Sequence, residues 1–207
     1  MPHDQSTGTS AAAETFDPAA GLFLAQDQRP SHIEPVQPEQ LSPLLRSLLV
    51  IDGTVTTFLS AWALEPVAVK PFRQRATALP VAGSPLAGSW LDAGTGTAVL
   101  ERAVLLVGAR SQRLFAYAES VICPERLPPA VRSGLVSEGL SLGQLLRMPG
   151  FESRREGLWY GREHLAELPP AVAALTDGDF LTRTYRVSAG SRPSMLITER
   201  FPWHLAL

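Results

Sequence analysis

One cysteine, one lysine and three methionines are all that these 207 residues hold of those types. The lone Cys123 excludes an internal disulfide and any zinc site built on cysteine pairs. His3, His32, His164 and His204 lack the spacing of metal ligands. No uninterrupted apolar run approaches the ~20 residues that a membrane span needs. Met1 to Asp4 lack the basic start and apolar stretch of a signal peptide, so a cytoplasmic protein is expected. No basic block exists and the net charge is −2, which argues against nucleic acid or an anionic membrane as partner. Gly94-Thr-Gly96 has neither the third glycine nor the preceding strand of a dinucleotide loop. A phosphate-cradling Lys-Ser/Thr loop and a serine nucleophile elbow are also missing.

Because Lys70 is the only lysine, nearly all of the positive charge is arginine. A GC-rich coding bias explains this, as it explains the many Ala, Pro and Leu residues. Arginine also binds carboxylates in a bidentate way, so some of these side chains are candidates for holding an anionic ligand. Hydrophobic residues make up 45% of the chain and charged residues 18%, which is enough apolar material for one domain with a real core.

Residues 1–38 are rich in Gln, Ser, Thr, Ala and Pro, interrupted by Gly21-Leu22-Phe23-Leu24. They read as a disordered or loosely docked tail before a folded body over 39–207. Ser42 is placed to cap a helix that starts at Pro43 and carries Leu44, Leu45, Leu48 and Leu49 on one side. Asp52-Gly53 ends that helix, and Thr54 starts a second with Val55, Phe58, Leu59 and Trp62. Val67 to Ala78 reads as a strand. Residues 80–96, with four glycines and two prolines, read as a loop over a site. Thr97 to Val107 and Leu114 to Ile122 form a hairpin, as do Thr182 to Ser188 and Ser194 to Phe201. Pro124 to Leu135 and Leu140 to Leu146 are helical, and 150–178 is polar and mixed. Helices first and hairpins later indicate an α+β fold with an antiparallel sheet.

Three places hold charge among apolar residues. Glu199 shares a strand face with Met195, Ile197 and Phe201, and an ionised carboxylate there needs a partner. It is either half of a structural ion pair or an acid–base group. Arg102 shares a face with Leu100, Val104 and Leu106 and needs an anion, either Glu199 or a ligand carboxylate. Glu119 on the next strand, and Arg183 with Tyr185 on the penultimate one, are either wet-face charge pairs or ligand contacts.

Together these segments resemble the chorismate pyruvate-lyase (4-hydroxybenzoate synthase) family, in its divergent bacterial branch, over about residues 41–202. The resemblance is carried by Leu48-Leu-Val-Ile-Asp-Gly-Thr-Val-Thr-Thr-Phe-Leu59, Leu100-Glu-Arg-Ala-Val-Leu-Leu106, Ala116-Tyr-Ala-Glu-Ser-Val-Ile122, Leu140-Ser-Leu-Gly-Gln-Leu-Leu146, and Arg183-Thr-Tyr-Arg-Val187 with Ile197-Thr-Glu-Arg-Phe-Pro202. It implies a single antiparallel sheet of about six strands with helices packed on it and an internal ligand cavity under flaps. It also implies that Arg102 grips the ring carboxylate of the substrate and that Glu199 faces the 4-hydroxyl, these two being the catalytic pair. Val55, Leu142 and Gly143 would hold the carboxylate end, with Arg183, Tyr185 and Glu119 as further substrate contacts. The sequence departs from the better-known branch at Val55, where that branch has a larger flexible residue, and at Glu119, where it has an arginine.

The implied activity is elimination of the enolpyruvyl group of chorismate to give 4-hydroxybenzoate and pyruvate, with no cofactor and no metal. The partner is a small aromatic or pre-aromatic carboxylic acid, and the chain is a monomer or homodimer. Two alternatives stand beside this reading: a relative repurposed for elimination or cyclisation on another substrate in specialised metabolism, and a non-catalytic ligand-binding domain. The lyase reading requires Arg102 and Glu199 to project from neighbouring strands into one dry cavity.

Overall fold

The computed structural model describes residues 16–136, 142–146 and 152–206. Seven strands form one antiparallel sheet: β1 (Ile33–Glu34), β2 (Val67–Ala78), β3 (Ala98–Gly108), β4 (Leu114–Ile122), β5 (Ser153–His164), β6 (Asp179–Ala189) and β7 (Arg192–Pro202). Their order across the sheet is β1-β5-β6-β7-β4-β3-β2. Both expected hairpins form. The β6–β7 turn is made by Gly190 at φ +58, a backbone conformation that costs glycine little.

The sheet exceeds the expected six strands because its outermost strand is a two-residue pairing that leaves no periodic signal. The strand β5 falls in the stretch that the sequence left unassigned. Its charged ends and a register shift between Gly157 and Trp159 destroy the alternation that marks a strand, sending both Leu158 and Trp159 to one cluster.

Residues 22–34 run along the free edge of β5. Leu24 and Ala25 donate backbone bonds to the carbonyls of Gly157 and Leu158, each at 2.9 Å, and Ile33 and Glu34 pair with Glu163 and Arg162. Glycines at 157 and 161 permit this approach. A Cβ on Gly161 would collide with the Glu34 carbonyl oxygen. Covering an edge strand in this way removes its unpaired backbone groups. Ala19, Ala25, Ile33 and Val36 are buried. Residues 1–15 of the expected tail lie outside the described residues, as do Leu140 and Ser141 of the expected short helix.

Both faces of the sheet are covered, which explains why β3 and β4 are apolar on both sides. On one face lie α1 (Pro43–Val50) and α2 (Val55–Ala63), packed through Leu45, Leu48, Leu49 and Leu59 onto Leu106, Phe115, Leu181 and Phe201. Ser42 caps α1, its hydroxyl accepting from the Leu45 amide at 3.3 Å. Beside them sits a second pair of helices, the first of which was expected to start at Pro124. The chain makes a 3₁₀ turn at Pro124–Arg126, then α4 (Pro129–Val136) and α5 (Leu142–Leu145). These bury Val131, Leu135 and Leu146 against Ile122, Val187, Met195 and Ile197.

The opposite face carries the 80–96 segment, with the short helix α3 (Ala87–Trp90), and later α6 (Pro170–Ala173). The 80–96 segment was expected to lie over the site. Instead, Val81, Ala87 and Leu91 bury themselves against Val121, Leu158 and Leu196, on the far side of the sheet from the two helix pairs.

Candidate functional site

Between the α1–α2 pair and the α4–α5 pair, the sheet is left with a cavity. Side chains alternate along strands, so Arg102 on β3, Ile197 and Glu199 on β7, and Tyr185 on β6 all face this gap and line it. From the helices, Val55, Leu142 and Gly143 complete the lining. A Cβ on Gly143 would come within 2.7 Å of Thr54 Cγ2, so the glycine lets α5 close down on the start of α2. The enclosed volume is about 60 Å³. That holds several waters, whereas an engineered cavity that binds benzene is about 150 Å³, so an aromatic ligand must part the covering elements. A cleft of about 200 Å³ adjoins the cavity and shares Gly53, Arg155 and Tyr185 with it.

Arg102 is 4% exposed and Glu199 7%. Both lie on the same face, as the sequence required, but not on neighbouring strands: β4 runs between β3 and β7. Burial pushes the Arg102 guanidinium down from its usual value, yet arginine keeps its proton, so a desolvated positive charge borders the cavity.

In the strand register the Glu199 carboxylate is Arg183's partner, not Arg102's. Arg183 and Glu199 are directly cross-strand. Nε of Arg183 donates to Glu199 Oε2 at 2.9 Å, and Nη2 lies 2.8 Å from the same oxygen in an ion pair. The Tyr185 hydroxyl donates to the other oxygen, Oε1, at 3.1 Å. Burial pushes the Tyr185 phenol well up and the Glu199 charge adds to this, so the hydroxyl remains a donor. The remaining nitrogen, Arg183 Nη1, donates to the carbonyls of Leu49 at 3.1 Å and Ile51 at 3.0 Å. These carbonyls end α1, where a helix has acceptors to spare and favours a cation. With these bonds made, Arg183 braces Glu199 and the α1–α2 turn, and it does not line the cavity. Arg183 instead borders the adjoining cleft.

Glu119 borders the cavity, but its carboxylate turns to the opposite face. Arg200 Nη1 donates to it at 2.9 Å, and Arg73 Nη2 donates to its other oxygen. Burial would raise this carboxyl, but the charges of Arg200 and Arg73 and the Tyr117 hydroxyl hold it below the ordinary range. Arg200 also donates to Glu163, which is almost wholly buried, at 2.8 Å through Nε. This network packs the far face and turns the Glu119 carboxylate away from the cavity, toward a far-face cleft that Arg102 and Glu119 both border.

One charged lining residue was missed. Arg155 on β5 reaches the cavity from the side opposite Arg102, and its Nη1 donates to the carbonyls of Asp52 and Gly53, both at 3.0 Å. Its only local signal is the Arg154-Arg155 pair in a stretch read as polar and mixed; nothing in one sequence says which of the two turns inward.

The family model described as Chorismate pyruvate-lyase Rv2949c-like matches residues 49–207. A chorismate pyruvate-lyase of Mycobacterium tuberculosis (strain ATCC 25618 / H37Rv) is 32% identical over 165 residues, which covers 76% of this chain and 78% of that protein. A protein of the same name from Mycobacterium leprae (strain TN) is 31% identical over 163 residues, covering 76% and 73%. Among solved structures, the effector domain of PhnF from Mycobacterium smegmatis superposes with a TM-score of 0.51 at 13% identity, covering 72% of this chain and 88% of that one. A putative regulator from Escherichia coli CFT073 superposes with a TM-score of 0.51 at 12% identity, covering 67% and 97%. At such identities the structural likeness concerns the fold alone.

Proposed function

The chain belongs to the chorismate pyruvate-lyase Rv2949c-like family, and from that premise we propose that it converts chorismate into 4-hydroxybenzoate and pyruvate in the cavity between its two helix pairs. The observation that carries this reading is the cavity's own polarity. It has a mostly apolar wall, one buried arginine at one end, and farther along it one carboxylate braced by Arg183 and Tyr185.

The reaction needs little from the protein. The ether bond between ring and enolpyruvyl arm breaks, the neighbouring ring carbon loses its proton, and the ring becomes aromatic. The departing enol takes up a proton to become pyruvate. Every atom of chorismate is kept in the two products, so neither oxidant nor reductant enters. Orientation and modest acid–base help are enough for so downhill a step.

Arg102 holds the ring carboxylate. Its desolvated charge gains most from an anion that replaces lost water. Val55, Leu142 and Gly143 cover that end. Glu199 meets the ring hydroxyl and supports proton removal beside it. Because Arg183 and Tyr185 fix both of its oxygens, the carboxylate is aimed before substrate arrives. Closure of α2 and α5 over the ring excludes water and strengthens these contacts. The same contacts hold the product, so its release limits turnover.

Pyruvate release from chorismate, followed by coupled lactate dehydrogenase, tests the proposal on purified protein. The parent should release pyruvate, and Arg102→Ala and Glu199→Ala should each be slower by two orders of magnitude or more. An inert parent rejects the lyase. Active variants reject the residue roles and leave the reaction standing.

A further inference from the structure

Chorismate carries a second carboxylate, on the enolpyruvyl arm, which 4-hydroxybenzoate lacks. We propose that Arg155 binds this second carboxylate and so selects the dianionic substrate over the monoanionic product. The inference rests on the lyase reading above.

Three observations carry it. First, Arg183, the other arginine near Glu199, is fully engaged by that carboxylate and by the Leu49 and Ile51 carbonyls. Second, Arg155 stands where the cavity meets the adjoining cleft, bordering both, together with Tyr185. An ether arm leaving a ring held at Arg102 has this exit. Third, Arg155 has donor capacity left. Nη1 is used on two carbonyls, but Nε is buried and has no hydrogen-bond partner among the described residues. The nearest carboxylate is that of Asp52, at 4.0 Å and largely in solvent. A carboxylate beside Arg155 would replace a weak ion pair with a direct one.

The spacing agrees. From β3 to β5 is four steps across the sheet, so at about 4.8 Å per step the two backbones stand about 19 Å apart. Two long side chains pointing inward from those strands leave between them a gap of substrate length. Arg102 and Arg155 then bracket a dianion, while Glu199, neutralised by Arg183, sits in the middle.

The test compares the parent with Arg155→Met and Arg155→Lys. Chorismate kinetics and inhibition by 4-hydroxybenzoate are measured on each. Titration calorimetry adds benzoate and 3-(carboxymethoxy)benzoate, which carries a second carboxylate on an ether arm and cannot be cleaved. Arg155→Met should raise the KM for chorismate by about 10- to 100-fold, the usual worth of a charge-assisted contact. Inhibition by 4-hydroxybenzoate should stay within about twofold, and the parent's preference for the dicarboxylate over benzoate should vanish. Arg155→Lys should recover part of both losses. Equal weakening of chorismate and 4-hydroxybenzoate would mean that Arg155 only holds the 52–53 turn, and overturns the proposal. An unchanged dicarboxylate preference in a parent and variant that both turn over chorismate also overturns it, while leaving the lyase reading intact. A parent that ignores chorismate yet prefers the dicarboxylate through Arg155 removes the lyase reading and keeps this one.

Discussion

Removing Arg183 should unfold much of what the site depends on, and the size of the loss can be worked out. In Arg183→Met the side chain keeps its bulk against Phe201 and Tyr185 but loses every donor. Glu199, 7% exposed, is left with only the Tyr185 hydroxyl. Breaking a buried ion pair from one side costs about 3–5 kcal/mol, because a charge is stranded out of water. The carbonyls of Leu49 and Ile51 lose their donor as well, at about 1–3 kcal/mol for each that water cannot reach. A total of at least about 5 kcal/mol, when both carbonyls are cut off from water, is a large part of the 5–15 kcal/mol that holds an ordinary domain together. With an m-value of about 2 kcal/mol/M, the urea midpoint should fall by about 2 M. Glu199→Gln should cost less, since Arg183 keeps its two carbonyls and a neutral acceptor. The double variant Arg183→Met/Glu199→Gln should be more stable than Arg183→Met alone, with a coupling of at least about 2 kcal/mol. If Arg183→Met costs under about 1 kcal/mol, the pair behaves like a surface salt bridge. The argument from burial would then be wrong.

Tyr185→Phe should lower kcat about tenfold, by the loss of one donor to Glu199, while the fold stays intact by circular dichroism. Gly161→Ala should loosen residues 22–34 by about 1–3 kcal/mol, since a Cβ there strikes the Glu34 carbonyl; faster proteolysis within that segment checks it. Glu119 is held below its usual 4.5 in the folded state, so its stabilisation is present above about pH 4.5 and is lost as pH falls through the folded value. The gap in urea midpoint between parent and Glu119→Gln should therefore be full at pH 7 and shrink below about pH 4.5. A gap constant down to pH 3 would contradict the assigned network.

Most of the sheet could be read from local pattern. β3, β4, β6 and β7 are long, apolar and punctuated by turns, so alternation located them and put Arg102 and Glu199 on their faces. The β5 strand could not be read, because its bulge sends consecutive residues Leu158 and Trp159 to the same side and its charges are spent on the far-face network and the 52–53 turn. With it went Arg155 and the docking of residues 22–34. Pairing was harder still. Alternation says which face a side chain takes, but not which strand lies beside it. The choice of partner for Glu199 between Arg102 and Arg183 therefore rests on strand order, which is a tertiary fact. Glu119 shows the limit from the other side. Its alternation with Tyr117 and Val121 was legible, and that phase alone sets it opposite Ala116, Ala118 and Ser120; the resemblance drew it into the site regardless.

The turn between α1 and α2 is where fold and chemistry meet. Four of its carbonyls, at Leu49, Ile51, Asp52 and Gly53, are held by two arginines from β6 and β5. One of these arginines also clamps the carboxylate at the centre of the site, and the other stands at the cavity mouth. The turn leads directly into Thr54 and Val55, which close the cavity against Leu142 and Gly143. A cavity of about 60 Å³ must widen to admit a ring, and the covering elements that can yield are this turn and α5, since the floor is the middle of the sheet. Opening by way of the turn would strain bonds to Arg183 and Arg155 together, and an anion arriving at Arg155 competes with the Asp52 and Gly53 carbonyls for the same guanidinium. Substrate binding and the opening of the turn thus draw on one set of donors, which couples entry of the second carboxylate to release of the 52–53 backbone.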